Sequence, residues 1–264
     1  MKKLTKTDIE NEWNDLPKNW YAIYQWRRAK CEGYTEWIAE LILKEISKIL
    51  LVKDGLREKP FRVDGHKGQC TLSTGIEQCT EKRLVRAMFN SREPSLMGRV
   101  LDYEIPLKKN NQAKHGDIDL LCCLEKTVLC IEAKQPNASE SVLKAILEAY
   151  VYTSLVSTAK VRFLNDFGLA PNLQLTPAVL TFAVSASGRQ LREINRFPQL
   201  LSLVRTLNKR LVAQQIASLR FYIVNNPAEE LRNCLTTTKL PNGDEKVVFV
   251  DGFSLSIAEQ LLPD

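Results

Sequence analysis

Two apolar runs separated by a short polar segment constrain the fold more than any other feature of this sequence. The first run spans Asp117–Leu124 and the second spans residues 128–134, with the polar residues 125–127 between them. Each run has the length and the aliphatic composition of a buried strand, and three polar residues suffice for a turn. We therefore predict an antiparallel pair of strands, preceded by another strand over residues 100–107.

Helical and strand patterns alternate over the rest of the chain. Their order is helices, a three-stranded antiparallel meander, a helix, a strand, a helix and a strand. This order predicts an α/β fold in which a mixed sheet is flanked by helices. We divide the chain into an N-terminal helical region, residues 1–55, packed on the core, and an α/β domain, residues 56–264. The predicted elements are helices over 35–51, 75–90, 140–156 and 200–218, strands over 177–184 and 219–224, and a late hairpin that includes 247–250.

Charged side chains are predicted to project together from the ends of the strand pair. Alternate side chains of a strand share a face, so Asp117 and Asp119 lie on one face of the first strand. Glu132 and Lys134 likewise share one face of the second strand. Two or three carboxylates and one lysine therefore meet at the rim of the core. The opposite face is predicted to be buried and consists of Ile118, Leu120, Leu129, Ile131 and Ala133.

This combination of residues suits the hydrolysis of phosphodiesters. Carboxylate oxygens, here those of Asp119 and Glu132, are the ligands that Mg²⁺ prefers, and the main-chain carbonyl of Ala133 is a further candidate ligand. A bound Mg²⁺ neutralises phosphate charge and lowers the pKa of a bound water. A neighbouring lysine such as Lys134 can orient that water or stabilise the transition state by its charge.

The stretch Gly116-Asp-Ile-Asp119-Leu-Leu, a turn, and then Ile131-Glu-Ala-Lys134 resembles the PD-(D/E)XK nuclease superfamily. Asp119 matches the acid of the first strand motif, and Glu132 and Lys134 match the Glu-x-Lys element. The resemblance implies a restriction-endonuclease-like fold, in which a helix, three strands, a helix and a further strand form the core. It also implies a nuclease, endonuclease or exonuclease, that depends on Mg²⁺ or Mn²⁺.

The resemblance covers residues 75–184 and implies further site residues. Many members carry an inward Glu on the preceding helix, which Glu81 matches, with Glu77 one turn earlier as the alternative. Some branches add a Gln-xxx-Tyr motif on the following helix; Glu148 and Tyr152 have that spacing, with Glu in place of Gln. The literal Pro-Asp pair is absent. Further accessory candidates are Asp117 and His115.

The distribution of charge is compatible with a polyanionic partner. The chain has a formal net charge of +6, and residues 188–220 contain seven basic residues against the single acid Glu193. Such a run is typical either of a solvated helix face or of a surface that contacts phosphates. On the second interpretation we expect DNA, rather than RNA, as the partner. The residues predicted to contact it are Arg189, Arg192, Arg205, Lys209 and Arg210.

Several classes of site and location are disfavoured by composition. Seven cysteines without a C-x-x-C pair predict a reducing compartment rather than a zinc or iron–sulfur site. Two histidines are too few for a histidine-based metal centre. Residues 1–16 lack the apolar core of a signal peptide, and no run is long enough to span a membrane. We expect a cytoplasmic protein without a membrane partner, and the sequence is compatible with a homo-oligomer.

Two other functions fit parts of the pattern. A nucleotidyltransferase would use Asp117 and Asp119 as its acid-apolar-acid strand and Glu132 as a third acid. That class needs a Gly-Ser helix start shortly upstream, which is absent from residues 96–115, and has no role for Lys134. The other alternative is a catalytically inactive module of the same fold that binds nucleic acid or another protein.

Overall fold

The computed structural model describes residues 4–52, 56–64, 66, 80–91, 95–109 and 116–262. In these residues the helices are α1 (Lys6–Asp15), α2 (Trp20–Gln25), α3 (Thr35–Glu45), α4 (Glu81–Ser91), α5 (Val142–Ser157), α6 (Lys160–Asp166), α7 (Ala186–Arg192), α8 (Pro198–Ala213) and α9 (Ala228–Arg232). The strands are β1 (Arg99–Pro106), β2 (Asp117–Leu124), β3 (Thr127–Ala133), β4 (Gln174–Phe182), β5 (Arg220–Val224), β6 (Leu235–Lys239), β7 (Glu245–Phe249) and β8 (Ile257–Glu259).

Six of these strands form one mixed sheet in the order β1-β2-β3-β4-β5-β8. β1, β2 and β3 are an antiparallel meander, β4 runs parallel to β3, and β5 runs parallel to β4. β8 closes the sheet antiparallel to β5, while β6 and β7 form a separate hairpin. The predicted mixed α/β architecture is therefore confirmed.

Apolar side chains cover the sheet on both faces. Successive residues of β3 alternate, so that Val128 and Cys130 join the core formed with α3, α5 and α8. Leu129 and Ile131 join a second core, formed with α4 and α9. Burial on both faces explains why the central strands are almost continuously apolar in sequence, as is usual where parallel strands lie between helices.

The N-terminal helices contribute to the larger of these two cores. Trp13 and Trp20 are buried in it together with residues of α5. The carboxylate of Glu36 in α3 accepts hydrogen bonds from the main-chain N–H groups of Gln199 and Leu200, both at 3.0 Å. Those groups belong to the first turn of α8, whose own N-cap residue, Phe197, makes no side-chain cap. A residue of the N-terminal helices therefore supplies the cap of a helix about 160 residues later in the chain.

Several predicted boundaries shift in the structure. The helix expected over residues 35–51 ends at Glu45, because Leu50 pairs with the main chain at Lys18 and Trp20 and the chain must turn to reach them. The helix expected over 200–218 ends at Ala213, just before Gln215 adopts a left-handed φ of 59°. The strand expected over 177–184 is β4, which begins and ends earlier.

One residue lies on the other side from its predicted face. Ile118 packs with Leu121 and Cys130 in the larger core, whereas Leu120 lies in the other core as expected. The last paired residues of the β2–β3 ladder are Leu120 and Ile131. Alternation breaks between Ile118 and Leu120, beside the left-handed Glu104 of β1, where Tyr103 and Ile105 are divided between the two cores in the same way.

β1 is distorted near its middle. Its pairing with β2 shifts register between Val100 and Asp102, and Glu104 has a left-handed φ of 45°. A non-glycine residue in this region carries backbone strain and needs support from its surroundings. The Glu104 carboxylate receives that support from α4, through Lys82 Nζ at 3.1 Å and the Arg86 guanidinium.

Candidate active site

The ends of β2 and β3 fix the main candidate residues through the main chain. Oδ2 of Asp119 accepts a hydrogen bond from the N–H of Ala133 at 2.8 Å, so this carboxylate takes over where the β2–β3 ladder stops. Lys134 follows β3 directly, and its N–H donates to the carbonyl of Leu180 in β4 at 2.9 Å. Asp119 and Lys134 are thus anchored to three neighbouring strands rather than to loops.

Lys134 is buried between two carboxylates. Its Nζ lies 2.7 Å from Oε1 of Glu132 and 3.1 Å from Oε2 of Glu148 on α5. All three side chains are at most 6% exposed. The contact with Glu132 agrees with the prediction that Glu132 and Lys134 share a face of the strand.

A second lysine extends this arrangement along α5. Lys144 Nζ lies 3.4 Å from Oε1 of Glu148 and 3.3 Å from Oε2 of Glu140. Glu140 is itself 3.9 Å from Lys134 and 3.9 Å from Lys30 of the N-terminal region. Negative and positive groups therefore alternate from the strand pair to the start of α5.

The carboxyl groups of the site repel one another. Burial raises the pKa of Asp119 to about 8, and the negative charge of Glu81 adds to the shift. Burial also raises the pKa of Glu132 well above its usual range, assisted by the charges of Asp119 and Glu148. The pKa of Glu81 is raised by burial, which outweighs the charge of Lys134. Such a group of carboxyls holds its protons more tightly than usual unless a cation offsets the repulsion.

The pKa values of Lys134 and Glu148 are shifted so that both groups favour their charged forms. Burial alone lowers the pKa of Lys134, but the surrounding carboxylates, Glu132 first, raise it well above its usual range. Burial alone raises the pKa of Glu148, but the charge of Lys134 outweighs this effect, and the pKa is lowered. Lys134 and Glu148 are therefore a charged pair inside the protein.

A glycine makes room for the tyrosine of α5. A Cβ atom on Gly116 would lie 2.2 Å from the hydroxyl oxygen of Tyr152, a distance that non-bonded atoms do not reach. Tyr152 also packs edge-on against Tyr24 of α2. Gly116 precedes β2 and therefore lets Tyr152 approach the strand that carries Asp119.

These groups line one open cleft of about 770 Å³. Among the described residues, six carboxylates and three lysines face it, and their formal charges sum to −3 although the whole chain is positive. Glu81 enters from the first turn of α4, and Asp117 from the first residue of β2. The nine charged residues are Glu81, Lys82, Asp117, Asp119, Glu132, Lys134, Glu140, Lys144 and Glu148.

The donor chemistry of the cleft fits a hard divalent cation. Oxygen ligands of Asp119, Glu132 and Glu81 are those that Mg²⁺ prefers, and a divalent charge would offset their mutual repulsion. As arranged, no three acidic, histidine or cysteine side chains of the described residues could by themselves hold a metal ion. The ammonium of Lys134 instead satisfies Glu132.

The accessory candidates divide into two groups. Asp117, Glu148 and Tyr152 line the same cleft as the main candidates. The buried Oδ1 of Asp117 has no hydrogen-bond partner among the described residues, and burial raises the pKa of this carboxyl. Glu77 and His115 lie outside the residues that the structure describes.

The basic residues predicted to contact DNA do not line this cleft. Arg210 donates to the carbonyl of Ile46 at 2.9 Å and thereby ties α8 to the segment after α3. Arg189 donates to the Val184 carbonyl, and Arg192 to the Asn225 side chain. Arg205 and Lys209 are exposed on α8.

Sequence reasoning missed some residues of the cleft. Glu140 lies four residues before Lys144, which in turn lies four before Glu148, and this i,i+4 spacing of opposite charges was a usable signal. Lys82 and the fit between Gly116 and Tyr152 had no such signal, because they depend on how distant segments approach.

Comparison with known proteins yields no relative for this chain. No protein-family model, curated protein or solved structure matches it. Within the described residues, no helix is both long enough and apolar enough to cross a membrane.

Proposed function

We propose that this chain is a metal-dependent nuclease that hydrolyses phosphodiester bonds, with DNA as its substrate. The observation that carries the proposal is the convergence of Asp119, Glu132 and Lys134, with Glu81, on one open cleft. Buried carboxylates beside a buried lysine are costly to maintain, and such arrangements concentrate at functional sites.

The order of elements supports the same proposal. α4, the meander β1-β2-β3, α5 and the parallel strand β4 occur in this order along the chain, with the short helix α6 between α5 and β4. This is the order that the resemblance to the PD-(D/E)XK superfamily implies for a restriction-endonuclease-like core. The acidic residues lie at the corresponding positions, namely the first helix and the second and third strands.

The proposed mechanism assigns a distinct role to each group. Asp119, Glu132 and the carbonyl of Ala133, with Glu81, would hold Mg²⁺ or Mn²⁺; the bound ion supplies charge neutralisation and an acidified water. Lys134 places a positive charge beside Glu132, where it stabilises the negative charge that develops on the phosphate oxygens. The main-chain bond from Ala133 keeps the Asp119 carboxylate oriented towards the cleft.

The test is cleavage of labelled linear and circular DNA, single- and double-stranded, with Mg²⁺, Mn²⁺ or EDTA. We expect metal-dependent cutting that falls at least about 100-fold in Lys134→Met and in Glu132→Gln, since charge stabilisation of this kind typically contributes that much. Lys126→Met, in the exposed turn between β2 and β3, is the matched control and should cut normally. Cutting by Lys134→Met at the rate of the unmodified chain would overturn the proposal, and the circular substrate distinguishes endonuclease from exonuclease.

A non-catalytic binding module is the second candidate function. It is favoured by the ion pairs of Lys134, which satisfy Glu132 and Glu148 without a metal, and by the negative charge of the cleft. On this alternative the ion pairs stabilise the fold only, and no DNA is cut under any metal condition.

A further inference from the structure

One carboxylate of the cleft has two competing partners. Oε1 of Glu132 accepts a hydrogen bond from Lys134 Nζ at 2.7 Å, and Glu132 is also one of the groups proposed to hold the divalent cation. A cation bound to Glu132 repels the ammonium of Lys134 and occupies the carboxylate oxygen that is the closest acceptor of this ammonium. Lys134 is 3% exposed, so it cannot turn to solvent for a substitute without leaving the site.

Glu148 is the acceptor that remains. Its Oε2 is 3.1 Å from Lys134 Nζ, and it lies on α5 rather than on the strands that carry Asp119 and Glu132. The next carboxylate, Glu140, is 3.9 Å from the ammonium and considerably more exposed. Among the described residues, Glu148 is thus the buried carboxylate placed to hold Lys134 when a cation binds Glu132.

The position of Glu148 is itself fixed from two sides. Lys144, one turn earlier on α5, contacts the other carboxylate oxygen at 3.4 Å. The Ser141 side chain caps α5 by accepting from the N–H of Leu143, and it also bonds to Thr35 of α3 at 2.7 Å. The carboxylate therefore stands on a helix with a secured start and an ion pair of its own.

We propose that Glu148 is a positioning residue that holds the ammonium of Lys134 while Glu132 binds a divalent cation. This inference rests on the proposed function, because it assumes a cation at Asp119 and Glu132. It explains how a lysine and a cation can occupy adjacent places beside one carboxylate. Without Glu148, Lys134 would retain Glu132 as its single close partner and would compete with the metal.

The experiment measures Mn²⁺ binding by calorimetry in a double-mutant cycle of Lys134→Met and Glu148→Gln on the full chain. Lys134→Met should bind Mn²⁺ more tightly than the unmodified chain, since a competing charge is gone. Glu148→Gln should weaken binding, and this weakening should be at least about tenfold greater with Lys134 present than in the Lys134→Met background. Long-range loss of one negative charge affects both backgrounds equally and cancels in the cycle.

The outcomes separate the two proposals. Equal weakening in both backgrounds would make Glu148 a direct ligand, and no weakening would leave it without a role; either result overturns the inference. Absence of Mn²⁺ binding to the unmodified chain would overturn the metal-dependent function and, with it, this inference. Glu140→Gln, in the same cleft but farther from Lys134, is the matched control and should change affinity less than about threefold. Lys134→Gln replaces Lys134→Met if the latter fails to fold.

Discussion

Gly116 shows how a single residue limits the shape of the cleft. Unlike four other glycines of the described residues, Gly116 does not have a left-handed φ. The requirement for glycine therefore comes from a close contact rather than from backbone conformation. The hydroxyl of Tyr152 occupies the place that a Cβ would take. Any larger residue must move Tyr152, β2 or both, and β2 carries Asp119 three residues later.

We predict that Gly116→Ala lowers stability by about 1–3 kcal/mol, the usual cost of inserting a methyl group into a packed site. In a chain of this size the midpoint of thermal unfolding falls by about 2–4 °C for each kcal/mol. Adding Tyr152→Phe, which removes the oxygen in closest contact, should recover part of the loss. Gly33, where an added Cβ would meet no atom of a non-neighbouring residue within 4 Å, provides the control variant Gly33→Ala. If the Gly116→Ala and Gly33→Ala variants unfold at the same temperature, the contact with Tyr152 does not exclude a larger residue at position 116.

Part of this site could be predicted residue by residue from the sequence. Glu132 and Lys134 lie on or directly after β3, where the period of two determines the face of each side chain. Asp119 lines the same cleft, as predicted, although alternation along β2 breaks at its position. Glu140 and Lys82 could not be predicted in the same way. The i,i+4 spacing links Glu140 to Lys144 and Glu148 along the chain, but the approach of Glu140 and Lys82 to the strands depends on how α5 and α4 pack on the sheet.

Capping of α8 by Glu36 links two helices that are far apart in sequence. α8 begins with Pro198, which has no N–H to satisfy, and the next two N–H groups donate to the Glu36 carboxylate. A negative charge at this end of a helix is also favourable for the helix dipole. The N-terminal region therefore stabilises the end of α8 electrostatically as well as by apolar contact.

We expect Glu36→Ala to destabilise the protein by about 1 kcal/mol, the typical loss when a helix cap is removed. Glu36→Gln keeps one acceptor oxygen and should lose less. Thermal or urea unfolding of the purified chain measures the difference. The control is Glu229→Ala, an exposed acid in the first turn of α9. Equal stability of the Glu36→Ala and Glu229→Ala variants would show that the cap does not stabilise the protein.

The elements were more predictable than the contacts between them. The meander, the helix after it and the two parallel strands follow from apolar periodicity, and β2 has the predicted bounds. The predicted end of α3 was wrong because the main chain of Leu50 forms hydrogen bonds with the main chain at Lys18 and Trp20 instead of continuing the helix. Such long-range pairing overrides local periodicity, and the sequence carries no signal for it.

Charge is unevenly distributed over the whole molecule. Setting aside the six acids and three lysines of the cleft leaves 34 basic and 25 acidic residues, a formal charge of +9. A polyanion is attracted to the exterior of the protein but repelled by the cleft, whose described charged groups have a formal sum of −3 when all are ionised. Entry of a phosphate backbone into the cleft therefore calls for a cation.

We predict that a labelled DNA oligonucleotide binds at least about tenfold more tightly with Ca²⁺ than with EDTA, because a hard divalent cation neutralises the cleft. Fluorescence anisotropy at fixed ionic strength measures the ratio. The combined variant Asp119→Asn with Glu132→Gln is the control and should bind equally in both conditions. Equal affinity for the unmodified chain would place the DNA on the exterior alone.

Binding that persists in EDTA should come from the exterior. Replacing Arg205 and Lys209, both exposed on α8, by alanine should then flatten the dependence of affinity on salt, since fewer counterions are displaced. Arg210→Ala is unsuitable for this purpose because its guanidinium bonds to Ile46.

The distortion of β1 affects the tendency of the protein to associate through the edges of its sheet at high concentration. β1 and β8 are the outer strands of the six-stranded sheet, and open strand edges invite other chains to add themselves. β8 has only three residues, too few to template an added strand. β1 is longer, but its register shift and the left-handed backbone at Glu104 interrupt the regular strand geometry that such pairing requires. We therefore expect the strained backbone that α4 supports to disfavour the addition of another chain at β1.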